Sequence, residues 1–532
     1  MNTAKTFKDF LEKCYELYPK DAAIYRDIDD YDTFEELYKK TKYFATYLLS
    51  KGYENKRIAV IGKNSYNWVF TYLSVVSYVG VVVPLDKELT HTEIDSVIKQ
   101  SNVDIIFYSS DMEEKINVIN KDFNKIKYVN MDKYEFKKML KDGKRTYFKD
   151  NFIDKVKRSD KDLSILLFTS GTSAKAKIVK LSQYNIIRDA YNLNFRFDLD
   201  TKDKFFSILP LHHTYEFTCS IITPLMSGSS VCFCSSFKNI KKDLKKYQPT
   251  VINCVPRVLE FIALGIKLEI KNQKKEKLVD RMIKITDFLL KFHINIKKKV
   301  FKSIHNRLGG NLRIVPCGAA RLDDDVFNYL MGLGFNIYQG YGLTETSPIL
   351  TVMGIHSKRN NSVGKPLKET QIKIVNKDKD GIGEIIAKGP QVMLGYYNKA
   401  QNDAVFKKGW FYTGDLGYLD KDGYLYIVGR IKNVIIANNG ENIYPEEIEE
   451  KISEYDFVKE VLVKAKKVKK ESHLVAHIVL KDEYKKKKNM ENTIKEMIDE
   501  LNCKLPVFKH VSDFVIEDQE FPKTSTLKIK RW

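Results

Sequence analysis

Residues 166–181 read LLFTSGTSAKAKIVKL. Ile165, Leu166, Leu167 and Phe168 make a short apolar run of the kind that forms a buried strand. The run breaks into Thr169, Ser170, Gly171, Thr172 and Ser173, small residues with four hydroxyls between them. Lys175, Lys177 and Lys180 follow, and Ser182-Gln183-Tyr184-Asn185 opens a helix pattern. A strand entering a small, hydroxyl-rich, lysine-tailed loop is suited to wrap phosphate. Small side chains let backbone N–H groups turn inward, and hydroxyls and ammonium groups add further donors. The spacing G-x-x-x-x-G-K-[ST] is absent, so this is not a P-loop NTPase of that kind. Taken alone, the stretch also fits a solvated surface turn, and the choice between the two rests on the rest of the chain.

Working outward, residues 57–62, 80–85 and 104–108 are apolar strand signals separated by helix patterns, at residues 66–78 and 91–100. Strands joined by helical crossovers predict a parallel sheet with helices on its faces. The rhythm recurs at residues 205–210, 230–233, 250–254 and 312–315, which predicts a second α/β subdomain stacked on the first. Residues 1–50 read as helices around a turn at 28–32. Residues 258–308 read as helical and basic. Within them Met282, Ile283, Ile285, Phe288, Leu289 and Phe292 fall on one broad apolar face between two lysine clusters. From about residue 360 to 428 short strands with glycine turns predict an antiparallel barrel or sandwich. After Arg430 an α/β pattern returns. The expected architecture is α/β with a β-barrel element: a large N-terminal domain over 1–430 and a small, mobile C-terminal α+β domain over 431–532.

Composition narrows the classes. The chain has 532 residues, 43% hydrophobic and 12% aromatic, enough for a large core and against general disorder. Its net charge is +21, but the lysines are spread along the whole chain and no nucleic-acid recognition motif accompanies them, so nucleic acid is set aside as a partner. The seven cysteines form no CxxC pair and several lie in apolar runs, as reduced thiols of a cytoplasmic protein do. The N-terminus lacks a signal-peptide core, and the apolar run at 72–85 is too short to span a bilayer. The charge is compatible with peripheral contact at the inner face of a membrane.

Two later segments carry chemistry. In Tyr338-Gln339-Gly340-Tyr341-Gly342-Leu343-Thr344-Glu345-Thr346, Gly340 and Gly342 allow close approach to a flat ring and Tyr341 can stack on it. Thr344 offers a hydroxyl to phosphate, and Glu345 a hard oxygen to Mg²⁺. In Gly409-Trp410-Phe411-Tyr412-Thr413-Gly414-Asp415, one carboxylate at a tight turn suits the two hydroxyls of a ribose.

Together and in this order, TSGTSAKAK, LPLHHTYEF (209–217), YGLTET, WFYTGD, GRIKNVIIANNGENIYPEEIE (429–449) and PKTSTLKIKR resemble the adenylate-forming superfamily, and within it the long-chain fatty-acid–CoA ligases. The resemblance spans essentially the whole chain. It implies ATP, Mg²⁺ and a thiol acceptor, either CoA or the phosphopantetheine of an acyl carrier protein, and a fatty acid substrate. A ligase-inactive nucleotide-binding protein is the alternative. By this resemblance Lys528, Thr344, Glu345 and His213 are catalytic. Lys528 bridges carboxylate and α-phosphate, Thr344 bonds the α-phosphate, Glu345 holds the metal and His213 sits near the carboxylate. Lys177 and the hydroxyls of Thr169, Ser170, Thr172 and Ser173, around Gly171, hold the outer phosphates. Gly318, Ala319, Ala320, Gly340, Tyr341 and Gly342 frame the adenine. Asp415, Ile427 and Arg430 face the ribose, Lys432 is the pivot, and Gly440 belongs to a loop that approaches the thiol. Two departures stand out. Ala174, Ala176 and Ile178 replace the family's Gly, Pro and Gly, which stiffens the loop, and Leu527 replaces the glycine before Lys528.

Overall fold

The computed structural model describes all residues except 2, 120–125, 170–176, 356, 358, 360, 438–440, 469–470, 524–528 and 532. The chain divides into two compact units, one of Met1–Thr370 with Lys388–Ala404, the other of Gln371–Ala387 with Val405–Trp532.

The larger unit holds two sheets. The first has seven strands in the order Gly395–Tyr396, Lys177–Ser182, Leu163–Thr169, Val81–Leu85, Arg57–Ile61, Ile105–Tyr108 and Lys127–Asn130. The last five are mutually parallel, and Lys177–Ser182 runs antiparallel to both its neighbours. The central strands are almost fully buried, which accounts for their continuous rather than alternating apolar runs. The second sheet runs Asp30–Thr33, Ala22–Asp27, Ser230–Phe233, Lys204–Ser207. Isolated bridges at Val251 and Cys254 carry it on to Val315–Cys317, Ile337–Gly342, Ile349–Val352 and Lys365–Pro366. Helix Tyr66–Ser74 packs on Arg57–Ile61 of one sheet and Ala22–Asp27 of the other, so the two expected subdomains are layers that share helices.

Residues 1–50 correct the all-helical expectation. Helices Phe7–Leu17 and Phe34–Ser50 are present, but residues 22–33 form a hairpin that turns at Ile28 and Asp29, and Asp30–Asp32 of the expected turn are strand. Ile24 pairs in parallel with Val231, and no local pattern reports a partner so far along the chain. Among the described residues no helix is long and apolar enough to cross a membrane.

In the smaller unit the expected barrel is an open half-barrel of five strands. Gln371–Val375, Gly383–Lys388 and Trp410–Leu419 lie side by side, and both Phe406–Lys407 and Leu425–Arg430 pair with Trp410–Leu419. It begins at residue 371 rather than 360, because Lys365–Pro366 completes the second sheet of the larger unit. These strands group with the C-terminal residues, so the division by packing does not fall at residue 430. Helix Pro445–Ser453 packs on Leu425–Arg430, and Asn433 Nδ2 donates to Glu446 Oε1 at 2.6 Å. The remaining core packs Ile448, Ile452, Ile494 and Ile498 against the sheet of Val458–Val468, Glu471–Leu480 and Val511–Glu517.

Candidate active site

The hydroxyl-rich loop joins two antiparallel strands. Thr169 ends one and Lys177 begins the next; the two residues pair, and Thr169 Oγ1 donates to Lys177 O at 3.3 Å. Ser170, Gly171, Thr172, Ser173, Ala174 and Ala176 lie outside the described residues. The helix signal at Ser182 corresponds to helix Gln183–Phe197, where Ser182 and Asn185 cap each other through Oγ and Oδ1. Ile178, a departure in the loop pattern, is a strand residue with its side chain in the core beside Leu166 and Val83.

The segment Tyr338–Thr346 leaves strand Ile337–Gly342 and closes in a short helical turn, Thr344–Thr346. Gly342 is required by space: a Cβ there would lie 1.8 Å from Pro348 O. The chain therefore doubles back tightly after Thr344 and Glu345, and Ser347 takes a left-handed backbone at φ 68°. Thr344 and Glu345 are half-buried at this turn.

A tyrosine that sequence reasoning did not single out organises this corner. Tyr396 Oη donates to Glu345 Oε1 at 2.8 Å, and the Lys177 ammonium lies 4.8 Å from the centre of the Tyr396 ring. The backbone fixes the arrangement. Met393 N donates to Glu345 O at 2.8 Å, Gly395–Tyr396 pairs with Lys177–Ser182, and the capping Asn185 donates through Nδ2 to Pro390 O and Val392 O. The larger unit thus brings together the two residues read as phosphate and metal ligands, Lys177 and Glu345. Tyr396 is 51 residues from Glu345 and much further from Lys177, so no spacing in the sequence could have reported it.

Gly318 sits against Tyr215 and the backbone of Gly340. A Cβ there would approach the Tyr215 ring at 3.3 Å and Gly340 O at 3.7 Å. Tyr215 Oη donates to Cys254 O at 3.1 Å. Ala319 and Ala320 are exposed, and Ala319 has φ 70°. An apolar cavity opens beside Gly318 and Gly340, lined also by Phe197, Tyr215, Cys219 and Tyr338. Tyr341 and Gly342 lie on the same strand.

His213 precedes the helical segment Thr214–Glu216, which continues as Phe217–Ile222. Thr218 Oγ1 donates to Ser347 O at 2.9 Å, tying this segment to the Thr344 turn. The His213 imidazole is held neutral, its pKa pushed down to about 3 by burial and then by the neighbouring His212 ring. Glu216 points into the interlayer core. Burial raises its carboxyl to about 8, against hydrogen bonds from the Ser207 and Ser220 hydroxyls and the N–H groups of Ile208 and Leu209.

The remaining candidates belong to the smaller unit. Asp415 is buried and pairs across the half-barrel with Arg430, whose Nε lies 2.8 Å from Asp415 Oδ1. Ile427 lies on the same strand as Arg430, opposite Gly417. Lys432 sits in the turn Ile431–Asn433 that follows. Gly440 and Lys528 lie outside the described residues.

The donor chemistry fits Mg²⁺ held jointly with a nucleotide. Such an ion takes one or two carboxylates and completes its shell with phosphate oxygens and water. Glu345 is a single oriented carboxylate, and no group of three His, Cys, Asp or Glu side chains able to hold a metal exists among the described residues.

The chain belongs to the AMP-binding enzyme family, whose pattern matches residues 11–397; that of the AMP-binding enzyme C-terminal domain matches residues 447–528. It is 29% identical over 321 residues to a long-chain-fatty-acid–CoA ligase of Mycobacterium bovis, covering 57% of this chain and 52% of that one. It is 28% identical over 381 residues to a chloroplastic long-chain-fatty-acid–[acyl-carrier-protein] ligase of Arabidopsis thaliana, covering 59% and 50%. The chain spans about half the length of these curated relatives. The o-succinylbenzoate CoA synthetase of Bacillus subtilis, solved with its acyl-adenylate, shares the fold, with a TM-score of 0.75 at 23% identity over 98% of this chain and 96% of that one.

Proposed function

We propose that this protein is an AMP-forming acid–thiol ligase acting on fatty acids. In the first half-reaction a carboxylate oxygen attacks the α-phosphorus of ATP, the bond to the bridging oxygen breaks, and pyrophosphate leaves with its electron pair. In the second, a thiolate attacks the acyl carbon of the adenylate, and AMP leaves. The observation that carries the reading is the corner where Tyr396 orients Glu345 and stacks under the Lys177 ammonium.

Lys177 neutralises charge on the outer phosphates. Thr344 donates to the α-phosphate, and Glu345 holds Mg²⁺, which when bound supplies charge neutralisation and alignment of the phosphates. His213, neutral, faces the carboxylate as a hydrogen-bonding group without a competing charge. Asp415, braced by Arg430, accepts from the ribose hydroxyls. Lys528 supplies the cation at the carboxylate and α-phosphate in the first step only, and a turn at Lys432 lets the C-terminal residues exchange roles between steps. The names of the relatives support an acyl substrate. CoA is the first acceptor to test, and the Arabidopsis relative's name adds acyl carrier protein.

The test is acyl-dependent ATP–pyrophosphate exchange over acids from roughly C4 to C16, followed by mass analysis with CoA or carrier protein added. Because each buried methylene contributes about 0.8 kcal/mol, kcat/KM should climb along the series. A maximum at a short or aromatic acid overturns the fatty-acid assignment. ATP binding without exchange on any acid overturns the ligase itself.

A further inference from the structure

Helices Pro256–Asn272 and Glu276–Leu290 pack on each other and on helix Asp324–Gly332. Their inner sides are occupied. Val258, Leu259 and Ala263 of the first are buried, and Val279, Met282 and Ile283 of the second lie against the same core. The broad face expected around Met282 therefore splits. On the other side of the first helix Phe261, Leu264 and Leu268 are 53%, 55% and 52% exposed. Along the second and just beyond it, Leu278, Ile285, Phe288 and Phe292 are 54%, 43%, 58% and 61% exposed. Spacings of three, four and seven put each set on one helix face. With Ile294, eight of the 22 large apolar side chains exposed among the described residues fall within 261–294. Scattered exposed apolar residues are ordinary, but a cluster of this kind marks an interaction surface.

The charge around these rows is predominantly positive. Lys271, Lys274, Lys275, Lys277, Lys284 and Lys291 are exposed beside them. Of the acidic residues in the two helices, Glu260, Glu269 and Asp287 are paired with Arg257, Arg307 and Lys297, which leaves Glu276 and Asp280. Lysines on such a border lay their methylene stems along apolar surface and present the ammonium at its edge.

We infer that the outward faces of Pro256–Asn272 and Glu276–Leu290 dock on an anionic lipid bilayer, the Phe and Leu rows entering the acyl boundary and the lysines meeting lipid phosphates. A second copy is disfavoured, since the same face meeting itself would oppose its own lysines. An acidic protein would satisfy the lysines but needs a matched groove for two outward apolar rows.

The test sediments the whole protein with vesicles of phosphatidylcholine alone and of phosphatidylcholine with phosphatidylglycerol at about three to one. Binding is expected to the anionic vesicles only, weakening at least tenfold from about 0.1 M to about 0.5 M salt. Phe288→Ser with Phe292→Ser should weaken it roughly 100-fold. Lys271→Ala, Lys274→Ala and Lys284→Ala together should do the same, at about fivefold per lysine. Phe148→Ser, at another site that is 70% exposed, should change nothing, and thermal unfolding should show every variant folded. No binding to anionic vesicles at low salt, or equal binding to neutral ones, overturns the proposal. So does binding that the lysine changes weaken and the phenylalanine changes do not, which points to an acidic macromolecule. A phenylalanine-dependent dimer that does not bind vesicles assigns the face to a second copy and also overturns it.

Discussion

Tyr396 shows how one hydroxyl can set the chemistry of a corner. A hydrogen bond to a charged group contributes about 1.5–3 kcal/mol, and Tyr396 spends its bond on orienting Glu345 rather than on packing. Tyr396→Phe should cut kcat/KM for pyrophosphate exchange by about tenfold and raise the Mg²⁺ concentration needed for half-maximal rate, with unfolding shifted by less than about 2 kcal/mol. An unchanged Mg²⁺ titration would remove Glu345 from the metal. Two buried titratable groups act on stability with opposite signs. His213 has its folded pKa lowered from 6.5 to about 3, so its contribution is full above 6.5 and declines as pH falls toward 3. Glu216 is raised from 4.5 to about 8, so the folded state holds a proton that the unfolded state releases. Its contribution is full below 4.5 and is lost as pH climbs through about 8, on the order of 3–5 kcal/mol. Glu216→Gln should flatten the fall of the stability profile between pH 4.5 and about 8 in urea titrations. Asp189, also raised well above the usual carboxylate range by burial, leaves a residual slope of the same sign. An unaltered profile would show that Glu216 is ionised in the fold.

At the scale of the element, the hairpin of Leu163–Thr169 and Lys177–Ser182 separates two substitutions that look alike in sequence. Ala174 and Ile178 both stand where the family pattern has glycine, and restoring both glycines is the natural experiment from sequence alone. The strand changes that expectation. Ile178 is 5% exposed, pairs with Phe168 and fills the core of the seven-stranded sheet. Ile178→Gly removes a buried β-branched side chain and loosens the strand, and should cost about 3–5 kcal/mol. Exchange activity should fall with the folded fraction, where a pure loop effect would raise it. Calorimetry on Ile178→Gly beside Ala174→Gly tells the two apart. If Ile178→Gly melts like the parent chain, the strand is not the constraint.

At the scale of the molecule, the proposed reaction divides between two units and two half-reactions. Lys432 occupies the second position of a turn closed by Val434 N donating to Ile431 O at 3.3 Å. Proline there would hold φ near −65°. Lys432→Pro should spare adenylate formation and abolish thioester formation. The two are followed by pyrophosphate exchange and by acyl-thiol mass analysis. Loss of both steps would place the pivot elsewhere, and retention of both would show that this turn does not need to move.

Much of this was legible in the chain itself, because it depends on neighbours in sequence. The buried parallel strands appear as unbroken apolar runs, the helix after the hairpin announces itself through Ser182 and Asn185, and the order of short motifs carries the family. Capping, periodicity and turn chemistry act over a few residues, so a linear reading can recover them. The tertiary structure decided what depends on register between distant strands. Ile24 pairs with Val231 and turns an apparent helical stretch into a hairpin. Gly395–Tyr396 pairs with Lys177–Ser182 and brings Tyr396 to Glu345 and Lys177. Helix 276–290 turns Met282 and Ile283 to the core and Phe288 to the surface. An apolar side chain carries the same hydrophobicity wherever it lies, and only the packing of layers determines whether protein or something else covers it.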